Sequence, residues 1–378
     1  MTTKIDRFLA DSQPETPCVV VDLDLVEQAY RDLTESLPTA EVFYAVKANP
    51  APEIVSLLTR LGSSFDTASC GEIALALEAG ASPERISYGN TIKKQRDIEW
   101  AYQAGVRLYA FDCHAELEKL AAAAPGSRVF CRILVGGDGA KWPLSKKFGC
   151  SPELGIELLR QARDLGLDPY GVSFHVGSQQ TDPTQWDHPI ALAAGMFRAL
   201  AAEGITLGMV NLGGGFPGHY QDEELMPTKR YGNIIIDSMT RHFGNQLPAM
   251  IIEPGRGLVA DAGILHTEIV LVSTRDLRTH RRRWIYLDAG KFNGLIETMD
   301  ETIRYEFRTP HDGKETGPVV LAGPTCDSMD ILYEKADYRL PLDLAIGDKV
   351  QVLSVGAYSS SYASVGFNGF APLKTYCI

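Results

Sequence analysis

The sequence predicts an α/β chain with two parts: a (β/α)8 barrel over residues 24–258, and a mainly antiparallel β domain, sandwich- or barrel-like, assembled from residues 1–23 and 259–378. Three observations lead there. From about residue 24, short apolar and β-branched runs alternate with amphipathic helical patterns, as parallel strands joined by crossover helices require. Eight such runs fall within roughly 230 residues, the count and spacing of a closed barrel. After Arg256 the pattern turns to longer β-branched stretches, few helical patterns and turns such as His311-Asp-Gly-Lys314.

Taken in order, Cys18-Val-Val-Val-Asp22 is strand-like and precedes the helix leading into the barrel, so it is assigned to the β domain. The eight barrel strands are expected near Val42–Val46, Ser64–Asp66, Ile86–Gly89, Arg107–Phe111, Val129–Val135, Gly171–Val176, Met209–Leu212 and Met250–Ile252. The β domain continues through Ile264–Ser273, Trp284–Leu287, Val319–Leu321 and Lys349–Val355.

Composition excludes several function classes. With 45% hydrophobic and 22% charged residues in 378, the chain can bury two cores, and disorder is excluded. The balance of 36 basic against 48 acidic residues, net −12, disfavours nucleic acid or an anionic membrane as partner. Seven cysteines are scattered without a C-x-x-C pair, so neither a disulfide framework nor a metal site is expected. An N-terminus without an apolar signal core, and the lack of any apolar run of roughly 18 residues, predict a cytoplasmic protein.

The chemistry centres on Glu41-Val-Phe-Tyr-Ala-Val-Lys47-Ala-Asn-Pro50, where a buried strand delivers one lysine to its C-terminal end. In a barrel that end is the active-site rim, and a lysine desolvated there becomes nucleophilic toward a carbonyl cofactor. A solvated strand-end lysine is the plain alternative. Other polar residues also gather at strand ends: Asp66, Arg132, His175, Gly213-Gly-Gly215 and Glu253-Pro-Gly-Arg256. A triple glycine serves either as a permissive turn or as a cradle of backbone N–H groups for phosphate. Arg256 either pairs with Glu253 or adds charge-assisted bonds to that phosphate. Glu253 is either a structural carboxylate or the partner of a pyridine nitrogen, and His175 either a core residue or a face for a flat ring.

These residues sit in motifs that together resemble the fold-type III pyridoxal-phosphate decarboxylases of basic amino acids, a family with the alanine racemase/ornithine decarboxylase-like fold. The motifs are Tyr44-Ala-Val-Lys-Ala-Asn49, Phe65-Asp-Thr-Ala-Ser69, Ser173-Phe-His-Val-Gly-Ser178, Gly213-Gly-Gly-Phe-Pro217, Glu253-Pro-Gly-Arg256, Gly323-Pro-Thr-Cys-Asp327 and Gly356-Ala-Tyr358, and they span nearly the whole chain. The resemblance implies that Lys47 carries pyridoxal 5′-phosphate, His175 stacks on its ring and Glu253 pairs with its nitrogen. It further implies that Ser178, Gly213, Gly214, Gly215, Gly255, Arg256 and Tyr358 hold the phosphate, with Asp66, Glu72 and Arg132 lining the pocket. By the same resemblance the enzyme is a homodimer whose active sites lie at the interface. The Gly323–Asp327 loop then reaches the partner's barrel, Cys326 protonates Cα, and Asp327 and Tyr358 contact the substrate. Lys147 matches a family loop that orders over bound ligand.

The implied reaction releases CO2 from a diamino acid: L-ornithine to putrescine, with L-lysine to cadaverine as a second activity, both steps of polyamine biosynthesis. Eukaryotic relatives carry a Tyr-Asp pair before the Cys-Asp loop, whereas this chain reads Gly290-Lys-Phe-Asn-Gly-Leu-Ile-Glu-Thr-Met-Asp300. A colinear reading therefore makes Asp300 the acid at the pocket's end, with Glu297 close enough to substitute. A diaminopimelate or carboxynorspermidine-type decarboxylase is the rival enzyme, although the diaminopimelate enzymes show Cys-Glu where Cys326-Asp327 stands here. A non-catalytic homologue that binds proteins is the rival from another class, and it would lose cofactor residues that this chain keeps.

Overall fold

Eight parallel strands close a barrel in the order Met209–Asn211, Ala249–Ile252, Ala40–Ala45, Ser64–Thr67, Ile86–Tyr88, Leu108–Phe111, Arg128–Arg132 and Asp168–Ser173 in the computed structural model, which describes residues 3–142, 147–221, 224–277, 280–365, 368 and 372–378. Each strand coincides with one of the eight runs expected from the sequence. Most observed strands stop a residue or more before the apolar run does, because the last residues leave the ladder to form the rim loops. Helices between them start and stop on local signals. Pro52–Leu61 opens on a proline, whose missing N–H has no helical partner in any case, and closes on Gly62 at φ 97°. Pro152–Asp164 is capped by Ser151, whose Oγ accepts the Leu154 N–H at 3.2 Å.

One end of the barrel is plugged by Phe43, Ala110, Phe130, Met209 and Ile251, with Leu108 and Tyr170 packed against them. Each large side chain buried there contributes about 1.5–3 kcal/mol. The strand pairing is close enough to demand glycine at Gly171, where a Cβ would stand 2.3 Å from the Met209 carbonyl oxygen.

The chain divides into two units, one of Glu27–Pro217 and Leu225–Gly257 that holds the barrel, the other of Met1–Val26, Gly218–Glu224 and Leu258–Ile378. The second unit is a nine-stranded mixed sheet. Its hub, Gly263–Leu277, pairs antiparallel with Cys18–Val21, His280–Leu287 and Lys349–Val352. Parallel pairs join Cys18–Val21 to Lys374–Cys377 and His280–Leu287 to Thr316–Ala322. Among the described residues no helix is long and apolar enough to cross a membrane.

Candidate active site

Lys47 occupies the 3-10 turn Val46–Ala48 that follows the first barrel strand, Ala40–Ala45. The strand ends one residue earlier than the apolar run, where the Ala45 N–H donates to the Pro254 carbonyl at 3.0 Å. The turn is pinned from below: Tyr44 Oη donates to the Asn49 carbonyl at 2.8 Å, and Asn49 Oδ1 accepts the Ala51 N–H at 3.1 Å. Val46 and Ala48 are buried, yet Lys47 itself is exposed. Its neighbours take up the buried positions of the turn, and the charge of Lys47 acts on the buried groups of Asp66, Glu72 and His175.

Strand register sets Asp66 beside this turn, since Ala45 pairs with Asp66 across the ladder. Asp66 is 8% exposed and its Oδ1 has no hydrogen-bond partner among the described residues. Gly89 makes the room, since a Cβ there would lie 1.9 Å from that oxygen. Burial, then the negative charge of Glu253, push the Asp66 carboxyl well above its usual range, while Lys47 and Arg132 draw it back. Glu72 is also raised by burial, with its Oε2 taking the Ala68 N–H at 2.7 Å and Lys47 opposing the rise.

His175 follows the strand Asp168–Ser173 and is kept neutral. Burial, and then the positive charges of Arg132 and Lys47, hold its pKa well below the ordinary value. Its Nδ1 accepts the Gly177 N–H at 3.0 Å, so the proton of the neutral ring resides on Nε2. Arg132, lowered by burial and supported by Glu253 and Asp66, lies with its guanidinium carbon 5.4 Å from the centre of the Phe148 ring.

Glu253 leaves the strand Ala249–Ile252 with its backbone N–H on the Gly213 carbonyl at 2.8 Å, and its Oε1 accepts from Asn211 Nδ2. Asn211 Oδ1 in turn accepts the Gly213 N–H at 2.9 Å, so this one side chain fixes both the carboxylate and the glycine loop. The three glycines are obligatory. A Cβ on Gly213, Gly214 or Gly215 would stand 2.2, 2.6 or 2.7 Å from the carbonyl oxygens of Phe174, Glu253 and Gly177 respectively, and Gly213 and Gly215 have φ of 69° and 106°. Arg256, 3% exposed, opens the short helix Arg256–Val259 and donates from Nη2 to Ser178 Oγ at 3.2 Å, while Gly255 before it is buried.

The barrel therefore brings together Lys47, Asp66, Glu72, Arg132, His175, Ser178, Gly213–Gly215, Glu253 and Arg256. A buried guanidinium, a hydroxyl and a loop that admits no side chain suit a phosphate. A neutral imidazole and a carboxylate held by an amide suit a flat heteroaromatic ring, and an exposed amine suits its carbonyl. This donor set fits a phosphorylated pyridine aldehyde.

The profile of the pyridoxal-dependent decarboxylases, for their pyridoxal binding domain, matches residues 23–260. The chain belongs to this family. It is 36% identical to the lysine/ornithine decarboxylase of Selenomonas ruminantium over 98% of this chain and 91% of that protein, and 31% identical to the ornithine decarboxylase of Rattus norvegicus over 98% and 82%. The lysine/ornithine decarboxylase of Vibrio vulnificus, solved with cadaverine, superposes with a TM-score of 0.88 at 30% identity, covering 100% of this chain and 99% of that one. The cofactor of this pyridoxal-dependent decarboxylase is pyridoxal 5′-phosphate, whose conjugated ring, when bound, accepts the electron pair left as CO2 departs.

In the decarboxylase's second unit, Cys326 is exposed on the loop after the strand Thr316–Ala322, its N–H donating to Asn368 Oδ1 at 2.9 Å. Asp327 is half-buried and its Oδ1 accepts the Met329 N–H at 2.8 Å. Asp300 is exposed, whereas Glu297, three residues earlier, is 5% exposed. Tyr358, at φ 53°, follows Gly356, whose backbone approaches Val259 so closely that a Cβ would meet its carbonyl oxygen at 1.8 Å. Lys147 is exposed beside Phe148, and residues 143–146 of its loop lie outside the described residues.

Sequence reasoning missed Asn211 and Gly89. Asn211 carried a signal, a polar strand-end residue directly before a glycine loop; Gly89 carried none, since the need for it arises only across the ladder. It also missed a buried ion network behind the rim. Lys93 Nζ lies 2.9 Å from Glu116 Oε1 and donates to the Asn90 and Ala110 carbonyls at 2.6 and 2.7 Å, while Glu116 Oε2 takes Lys119 at 2.5 Å.

Proposed function

We propose that this decarboxylase acts on a basic L-amino acid, converting L-ornithine to putrescine and CO2, with L-lysine to cadaverine as a second activity in polyamine biosynthesis. The observation that carries the reading is the Cys326-Asp327 loop, where an exposed thiol, a proton donor, is followed directly by a carboxylate able to take a distal ammonium. The rival diaminopimelate enzymes show Cys-Glu where Cys326-Asp327 stands here, so the shorter acid favours a diamino acid without a second carboxylate. The names of the relatives support the same substrate class.

In this reading the Lys47 amine would hold the cofactor through its carbonyl carbon until the substrate amine takes that place and sets Lys47 free. Glu253, oriented by Asn211, holds the proton on the ring nitrogen. His175, neutral, packs its face on the ring without adding a positive charge that would oppose that proton. Ser178, Gly213, Gly214, Gly215, Gly255, Arg256 and Tyr358 hold the phosphate, and Asp66 and Arg132 line the pocket. Cys326 delivers the proton to Cα. Asp327 takes the distal ammonium, and exposed Asp300 is the better second acid, since Glu297 is committed to its own unit's interior. Each site of a C2 homodimer takes its barrel residues from one chain and Cys326 from the other.

Release of CO2 from carboxyl-labelled ornithine, lysine, arginine and diaminopimelate tests this. Release from ornithine and lysine is expected. Release from arginine or diaminopimelate alone would overturn the substrate assignment, and a pure protein with neither turnover nor a visible cofactor band would overturn the enzyme reading.

A further inference from the structure

The segment Ile296–Glu301 is a broken 3-10 helix: Met299 is extended at φ −56°, ψ 131°, and Asp300 and Glu301 follow with φ of 53° and 58°. Two successive non-glycine residues in the left-handed region raise the energy of the backbone, and such geometry persists only where the surroundings hold it. One carboxylate holds it here. Glu301 Oε1 accepts the backbone N–H groups of Glu334 and Lys335, and Oε2 accepts that of Ala336, each at 2.7 Å. The segment is closed on its other side by Ile303 N–H to the Glu297 carbonyl and Thr302 N–H to the Met299 carbonyl, both at 3.1 Å. Burial works to raise the Glu301 pKa, but the three N–H groups outweigh it and the carboxyl is lowered, so the clamp is ionised and its bonds are charge-assisted.

With Glu301 turned onto the 334–336 backbone, Glu297 is buried and Met299 and Asp300 are exposed. Asp327 is anchored separately, by its own bond to the Met329 N–H and by Asp330, whose Oδ2 accepts from Thr325 N–H at 3.0 Å and from Thr325 Oγ1 at 2.6 Å. Loosening Glu301 thus frees one acid and leaves the other in place.

Resting on the diamino-acid reading above, we propose that Glu301 is the positioning residue that sets Asp300 for the distal ammonium, and through it the discrimination between substrates one methylene apart. Asp327 supplies the contact common to both substrates. Asp300, at a distance fixed by the clamp, measures chain length, so its displacement changes the ratio of the two activities rather than scaling both.

Glu301→Gln tests this because the amide keeps the size but turns one accepting oxygen into a donor that faces an N–H. Hydrogen exchange at the 334–336 amides of the holoenzyme should speed up, reporting a released clamp. The KM values should rise with kcat nearly unchanged, and the ornithine-to-lysine ratio of kcat/KM should move by about threefold or more, within what one methylene supports. In an Asp300→Asn background the same substitution should leave the ratio where Asp300→Asn alone puts it, because residues acting as one unit are not additive. Faster exchange with an unchanged ratio, or a full further ratio shift in the Asp300→Asn background, overturns the proposal. Failure of the wild-type enzyme on every diamino acid instead overturns the substrate reading on which it rests, so the two failures are told apart.

Discussion

Lys47 is an exposed residue set between buried Val46 and Ala48, so the role proposed for it is one that a change of one side chain can isolate. Lys47→Ala should abolish turnover and the visible cofactor band while leaving far-UV circular dichroism unchanged, because no buried packing is lost. Full activity in that variant would end the assignment. Glu253→Gln isolates the ring nitrogen: the amide still accepts from Asn211 but cannot hold a proton on the ring. We expect the cofactor to stay bound and kcat to fall on the order of 10²-fold, the scale of removing one preorganised electrostatic partner. A rise in KM alone would make Glu253 a binding residue. Much of this site was legible as residues, because a barrel collects its strand ends on one face, so Asp66, Arg132, His175 and Glu253 could be gathered without knowing any contact. What stayed hidden depends on register: Asn211 and Gly89 are ordinary residues whose task is defined only by the neighbour that the ladder sets against them. The exposure of Lys47 was hidden for another reason, since a 3-10 turn and a continuing strand share the same apolar run.

Among the elements, the loop from the third barrel strand is tied to the fourth strand and the following helix by Lys93, whose side chain is fully buried. Burial lowers its pKa to about 8, with Glu116 opposing, from an ordinary value of 10.5. Between those two values the unfolded chain keeps a proton that the folded one has released, so this group's contribution to stability rises with pH across the window. Below about pH 8 the lysine is charged in both states and the penalty of its burial is fully present. The melting temperature of the wild type relative to Lys93→Met should therefore climb from pH 8 to pH 10, by at most about 3 kcal/mol in free energy. A flat difference would mean that the buried amine keeps its ordinary proton affinity. The proposed reading divides substrate recognition between two further elements. Asp327→Asn should weaken ornithine and lysine alike, whereas Asp300→Asn should alter their ratio; equal losses in both variants would remove Asp300 from the pocket's end. The elements themselves were legible from period and punctuation, but the left-handed pair at Asp300 and Glu301 was not, since Asp tolerates a positive φ without requiring it and Glu seldom adopts one.

For the whole molecule, the barrel unit carries Lys47 and the sheet unit carries Cys326, so the proposal that each active site is built from two chains has a sharp test. A C2 dimer presents every patch twice, and each of its two sites would combine Lys47 of one chain with Cys326 of the other. Lys47→Ala and Cys326→Ala are each expected to be inactive alone, yet mixing them should restore activity. With random exchange of equal amounts, about half the dimers are mixed, and each mixed dimer has one site with both residues intact and one with neither. Recovery should level off at roughly a quarter of wild-type activity per chain. The chains must be incubated until dimers exchange, verified by co-purification of differently tagged partners. Once exchange is verified, a mixture no more active than its parents would place Lys47 and Cys326 in a site within one chain.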